Sequence, residues 1–335
     1  MSLFDDNPLK PPDENLPASP SSDRPAEPAS SQPFARPLIA QPLGGDPLSY
    51  IVAGPAASPP PPNLPEDLRI SWSWLHLLVF GVFVVASLVT LQLAVFFYFS
   101  VDRHLSQKQL KHLFESDPRL IIGMNVLWFA LILFFLYITL AVLRDSPFWL
   151  SLGWKKLKSA PGEGKGRPWM YFLSGCGLSI FVALASSRVK DVENAPIQEF
   201  LKNRTGAMLL MAMAVFVAPL VEETVYRGYL YPVLARITSA VLQFFGMEFS
   251  SATRTGVFTS IFMTGALFGL MHAPQLGYTW GLVGLLTFVG VIFTFARAWT
   301  GTVVASFLLH LGYNSMIAFT SIIATKGFTH MPPGH

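Results

Sequence analysis

Two adjacent glutamates and an arginine, Glu222, Glu223 and Arg227, lie inside a hydrophobic run from Ala207 to Pro232. A charged side chain near a bilayer centre costs about 2.5–3.5 kcal/mol on insertion scales. Three of them must therefore pair, face a helix bundle or line water. In a helix, neighbours in sequence stand about 100° apart, while positions four apart share a face. Glu223 and Arg227 can thus pair along their own helix, leaving Glu222 for a partner on another. Two later apolar runs supply partners: His272, four residues after Phe268, and His310, four residues before Asn314. A free buried carboxylate can take a proton from water. A histidine and an asparagine on one face aim two donors at one point, as a developing oxyanion requires. The competing reading is structural: the charges hold helices together, and the His–Asn pair makes interhelical hydrogen bonds worth about 0.6 kcal/mol each. No Gly-x-Ser-x-Gly elbow and no His-Glu-x-x-His occurs, which excludes an elbow serine and a zincin-like site.

These residues need spanning helices to position them, and the composition supplies them. Of 335 residues, 52% are hydrophobic and only 13% charged, against about 25% charged in soluble domains. Mean hydropathy is +0.46. The net charge of +3 gives no case for nucleic acid. The single cysteine, Cys176, rules out an internal disulfide framework and any multi-cysteine zinc site.

The reading is an all-α, polytopic transmembrane bundle of about seven spans. Residues 1–68 are rich in Pro, Ser and Ala, with four prolines at Pro59–Pro62, and cannot bury enough apolar surface to fold. A disordered, solvated tail is expected, with docking of a partner to its Pro-rich segment as the lesser reading. No cleavable signal peptide opens the chain, so the first span acts as a signal anchor. That span is Trp74 to Phe99, with aromatic anchors Trp72, Trp74 and Phe96–Phe99 at its ends. Residues 101–119 read as an amphipathic surface helix, with Leu105, Leu110 and Leu113 opposed to Lys108, Lys111 and Glu115.

The second span is Leu120–Leu143. A basic loop with Lys155, Lys156, Lys158, Lys165 and Arg167 follows, in which Pro147–Leu150 can dip into the interface. The third span, Trp169–Ser186, offers Gly175 and Gly177 for close helix approach. The fourth carries the charge cluster and continues as an amphipathic helix through Val233–Phe245. The fifth runs from about Thr255 to His272, the sixth from Tyr278 to Trp299, and the seventh from Thr302 to Thr325. Gly265 and Gly269 let another helix approach the fifth. The division is tail 1–68, N-terminal helices 69–199 and catalytic core 200–328. The basic loop places the N-terminus in the cytoplasm by the positive-inside rule.

In order and spacing, Glu222-Glu223-x-x-x-Arg227, Phe268-x-x-x-His272 and His310-x-x-x-Asn314 resemble the CAAX protease and bacteriocin-processing family of intramembrane endopeptidases. Arg227-Gly228, Phe268-Gly269-Leu270 and Thr300-Gly301 extend the likeness, which covers about residues 200–325. The resemblance implies hydrolysis of a peptide or membrane-anchored protein substrate in the plasma or inner membrane. It makes Glu222 the base that activates water and His272 its helper, with His310 and Asn314 as the oxyanion hole. Glu223, Arg227 and Phe268 are the supporting residues.

The family is often labelled metallo-endopeptidase. Glu222, His272 and His310 would be the ligands if a divalent metal such as zinc were held, while the favoured water mechanism needs no cofactor. The alternative function is a non-proteolytic immunity or scaffolding protein on the same fold. The prenyl-protein proteases of the family usually carry a further span after the His-x-x-x-Asn helix, and the long Pro-rich head is not a family feature. One conflict stands. With these span limits, Glu222 and His310 fall on one side of the membrane and His272 comes out deeper. The fifth span must then start later than Thr255, or tilt or break near Gly265–Gly269.

Overall fold

In hydrocarbon every backbone N–H and C=O must pair within its own segment, so long apolar stretches fold as helices. The computed structural model describes residues 64–157, 166–189 and 196–330, apart from the Asp102 and Glu115 side chains. All regular structure among the described residues is helical. The Pro-rich stretch to residue 63, Lys158 and Lys165 lie outside the described residues, as does the Glu115 side chain.

In chain order the helices are α1 (Trp74–Val101), α2 (Gln107–Ser116), α3 (Pro118–Val142), α4 (Phe148–Ser151), α5 (Pro168–Ser186), α6 (Arg204–Phe244), α7 (Phe249–Met271), α8 (Trp280–Thr300) and α9 (Val303–Ala324). Seven of these, all but α2 and α4, are long and apolar enough to cross a membrane, the number expected from hydropathy.

Polar caps rather than hydropathy place the ends. Ser106 and Gln109 form a capping box at the start of α2. Asp117 caps α3, and Thr302 caps α9. Glu248 accepts from the backbone N–H groups of Ser250 and Ser251, so α7 begins at Phe249, six residues before the expected Thr255. Gly301, at φ 71°, ends α8 in the left-handed conformation that a side chain resists.

The long α6 has 41 residues, roughly 60 Å at about 1.5 Å per residue, twice the hydrocarbon thickness. It is not uniform. Stretches Met213–Val217 and Thr224–Leu230 are π-helical. Each immediately precedes a segment that opens with a proline near its start, Pro219 and Pro232. A helical proline lacks an N–H and clashes with the carbonyl four residues back, here Val215 and Gly228. Both carbonyls fall within the two π-helical stretches, so widening of the turn accommodates each ring.

Glycines set two close crossings. Gly175 of α5 faces the backbone of Leu309 and Tyr313, while Gly312 of α9 faces that of Phe172. Gly265 and Gly269 of α7 face Gly290, Val291 and Thr287 of α8. Gly177, in contrast, has nothing within 4 Å where a side chain would go, so of the two α5 glycines only Gly175 lies in the crossing with α9. The helix α7 runs unbroken past Gly265 and Gly269.

Leu64 to Trp72, part of which composition assigned to the tail, is packed against the helices. Leu64 and Leu68 are buried against Tyr231, Ala235, Val257 and Ile261. Glu66 pairs with Lys155 at 2.7 Å. The Tyr231 hydroxyl donates to Asp67 Oδ2 at 3.3 Å, and Arg297 Nη1 stands 3.6 Å from the same oxygen. Arg236 donates to Ile70 O at 3.2 Å, and Trp72 stacks on Tyr229 with centroids 5.5 Å apart. These side chains clamp residues 64–72 as a strap across the C-terminal half of α6 and the end of α8.

Candidate active site

The middle of α6, where the second π-helical stretch begins, carries the glutamate pair. Glu223 is fully buried, and its Oε1 accepts from Arg227 Nη1 at 2.8 Å. The ion pair expected from the four-residue spacing is therefore formed. Arg227 is also fully buried and reaches further: Nε donates to Thr294 Oγ1 at 3.2 Å and Nη2 to Gly290 O at 2.9 Å. Its guanidinium lies over the Phe268 ring at 4.7 Å and the Phe293 ring at 5.3 Å. Each charge is thus compensated, which a buried pair requires if it is not to destabilise the fold. Arg227 fastens α6 to α7 and α8.

His310 completes the group from α9. Its Nδ1 lies 2.9 Å from Glu223 Oε1, and its Nε2 lies 3.9 Å from Glu222 Oε2. A carboxylate only accepts, so Nδ1 carries the hydrogen toward Glu223. The ring therefore stands between the two glutamates with Nε2 turned to Glu222. Phe293 and Phe268 flank it at 4.9 and 5.8 Å. The Glu222 side chain keeps 15% exposure where Glu223 has none, so Glu222 is the accessible carboxylate of the pair.

His272 follows the last residue of α7. Its Nδ1 lies 2.7 Å from Phe268 O, and its ring is 4.7 Å from that of Phe268. A carbonyl oxygen only accepts, so Nδ1–H points inward to the backbone and Nε2 is left as the free nitrogen. Phe268 touches both histidines and Arg227, and forms their shared wall. The depth conflict dissolves through the length of α6. Its C-terminal half runs antiparallel to α7, Ser239 meeting Thr253 and Gly256 facing Ala235. Nearly equal lengths of chain separate Glu222 and His272 from the turn between them. The fifth span starts earlier than expected, not later.

Asn314 is one turn beyond His310 on α9, and its Nδ2 donates to Ala214 O at 2.7 Å. In a π-helical turn that carbonyl would accept from the residue five positions on, which is Pro219 and has no N–H. Asn314 thus supplies the missing donor for the first widened turn of α6, with its second amide hydrogen left over. Two residues that bind Arg227 escaped the sequence reading, Gly290 and Thr294. A hydroxyl four residues after a glycine in an apolar span was the available signal.

Among the described residues, no group of three or more His, Cys, Asp or Glu is placed to hold a metal ion. Glu223 takes Nδ1 of His310, Phe268 O takes Nδ1 of His272, and the Phe268 ring stands against both histidines.

A family model described as type II CAAX prenyl endopeptidase Rce1-like matches residues 204–316. All three motifs fall inside that stretch. No curated protein and no solved structure matches the chain. The match supports an intramembrane protease of the CAAX type, and the seven apolar helices a multi-pass membrane protein. Residues 204–316, which carry all three motifs, are thus similar to the type II CAAX prenyl endopeptidases, and the likeness is limited to that third of the chain.

Proposed function

We propose that the protein is an intramembrane endopeptidase that hydrolyses a peptide bond with water activated by Glu222. The single observation that carries this reading is His310 held between two carboxylates, Nδ1 on Glu223 and Nε2 toward Glu222. Glu222, the accessible carboxylate, takes the proton from water. His310, oriented by Glu223 and Arg227, polarises the scissile carbonyl from Nε2–H in the form that carries hydrogen on both ring nitrogens, together with the spare amide hydrogen of Asn314. The free Nε2 of His272 borders the same site and helps to orient the water. Preorganised donors of this kind act strongly where water is scarce.

The substrate class is a CAAX-type peptide or a related membrane-anchored protein, presented from the cytoplasmic leaflet with the N-terminal strap on that side. No step in this mechanism calls on a metal.

The experiment is proteolysis by the purified protein in liposomes, with a fluorogenic farnesylated CAAX peptide. Glu222→Gln, His272→Ala and His310→Ala are expected to lose about 10²–10⁴-fold in rate, the range for a general base, while Glu222→Gln melts like the wild type. Undiminished cleavage by Glu222→Gln would overturn the mechanism and leave the non-proteolytic scaffold.

A further inference from the structure

Resting on that reading of the site, the donors facing a developing oxyanion can be counted. His310 has committed Nδ1 to Glu223, and Asn314 has committed one amide hydrogen to Ala214 O. One side chain on the Phe268 wall that His310 also touches is uncommitted. Tyr226 follows Glu222 by four positions inside the π-helical stretch Thr224–Leu230. There the widened turn keeps positions four and five apart on one face. Its ring meets Phe268 edge to face at 5.4 Å and 80°, so it shares the wall that His272 and His310 touch. Its hydroxyl lies within electrostatic reach of the Glu222 carboxylate. That hydroxyl makes no hydrogen bond among the described residues, nor is it sealed from solvent. A tyrosine hydroxyl in a largely apolar setting usually finds a partner, and this one is left for a group that arrives.

We propose that Tyr226 is a further catalytic residue whose hydroxyl donates a hydrogen bond to the oxyanion on the scissile carbonyl. The water gives its proton to Glu222, and its oxygen adds to the carbonyl carbon. The carbonyl π pair moves to oxygen, and the resulting negative charge accepts from the Tyr226 O–H, which keeps its proton. On collapse the C–N bond breaks, and its electron pair stays on nitrogen. The nitrogen takes the proton held by Glu222. The products are a carboxylic acid and an amine, with Tyr226 and Glu222 returned to their starting states.

The test is Tyr226→Phe, which keeps the ring against Phe268 and removes only the oxygen. On the farnesylated CAAX peptide, kcat is expected to fall about 10²-fold with KM unchanged, as for loss of one oxyanion donor. Affinity for a peptidyl phosphinate, whose charged tetrahedral group imitates the oxyanion, is expected to fall likewise. Affinity for the parent peptide amide bound to Glu222→Gln background protein is not. A Tyr226→Phe enzyme with wild-type kcat and wild-type phosphinate affinity overturns the proposal, because a packing role needs only the ring. Glu222→Gln, assayed alongside, separates the two readings. If it is inert while Tyr226→Phe is fully active, only the tyrosine fails; if it is active, the site fails with it.

Discussion

Nδ1 of His310 and Oε1 of Glu223 stand 2.9 Å apart across the contact of α9 with α6. The same oxygen receives Arg227 at 2.8 Å. One carboxylate therefore both neutralises a guanidinium and orients an imidazole. Stability and chemistry meet in it, and single substitutions are expected to separate them unevenly.

Removing the guanidinium exposes that dependence. Arg227→Met leaves Glu223 buried without its counter-charge, and breaking a buried pair costs about 3–5 kcal/mol. A matching drop is expected in the stability of the purified protein, measured by denaturant titration in mixed micelles. Glu223→Gln combined with Arg227→Met removes both charges and should recover most of the loss without recovering activity.

Asn314 has a structural duty separable from any catalytic one. Asn314→Ala strands the Ala214 carbonyl, which costs about 1–3 kcal/mol. Pro219→Ala restores an N–H to α6 at the position that this carbonyl lacks. The double variant should therefore melt close to the wild type while peptide cleavage stays depressed. Full recovery of both would assign Asn314 to structure alone.

The α7–α8 crossing admits no added methyl. A Cβ on residue 290 would stand 2.8 Å from Gly265 O and 2.9 Å from Gly265 Cα, both backbone atoms that cannot swing aside. Gly290→Ala is expected to cost about 1–3 kcal/mol by overpacking. It should also depress cleavage, because Gly290 O accepts from Arg227. A thermal melt in detergent and the peptide assay check the two effects.

Asp67 is the counter-charge that the described residues offer to Arg297, whose Nε and Nη1 are buried without hydrogen bonds. Asp67→Asn is expected to destabilise the protein by about 1–3 kcal/mol. Hydrogen exchange should rise across the turn Glu66–Leu68 while the middle of α6 stays protected. Unchanged exchange there would show that the strap is held by Leu64, Leu68 and Trp72 alone.

Outside the membrane, the Glu248 cap gives a pH dependence. The hydroxyl and backbone N–H of Ser250, with the N–H of Ser251, bring its carboxyl from 4.5 down to about 2. A depressed folded value means that the stabilisation is complete above the unfolded pKa and is lost as pH falls through the folded one. Protection of the amides in the first turn of α7, relative to the intrinsic exchange rate at each pH, should therefore hold from neutral pH down to about 4.5 and fall progressively from there toward about 2. Glu248→Gln should remove that step.

Much of this arrangement was legible in the sequence. The cost of burying charge marked Glu222, Glu223 and Arg227, and four-residue spacing alone paired Glu223 with Arg227. Apolar runs gave the number of spans, and Gly265, Gly269 and Gly175 marked two crossings. The limits of α7 were misjudged because hydropathy does not register a carboxylate cap such as Glu248. Gly177 looked like Gly175, since nothing in one helix says which face its neighbour will choose.

What the sequence by itself determined is the set of residues that cannot rest in lipid unpaired, since burial costs and helical spacing are local properties. Only the tertiary structure decided which of them meet. It set His310 between the two glutamates, turned Asn314 onto the carbonyl left by Pro219, and brought His272 level with Glu222. These outcomes depend on how far α6 extends before the chain turns back and on which glycine faces admit a neighbour. Both are properties of packed helix pairs, which no single helix encodes.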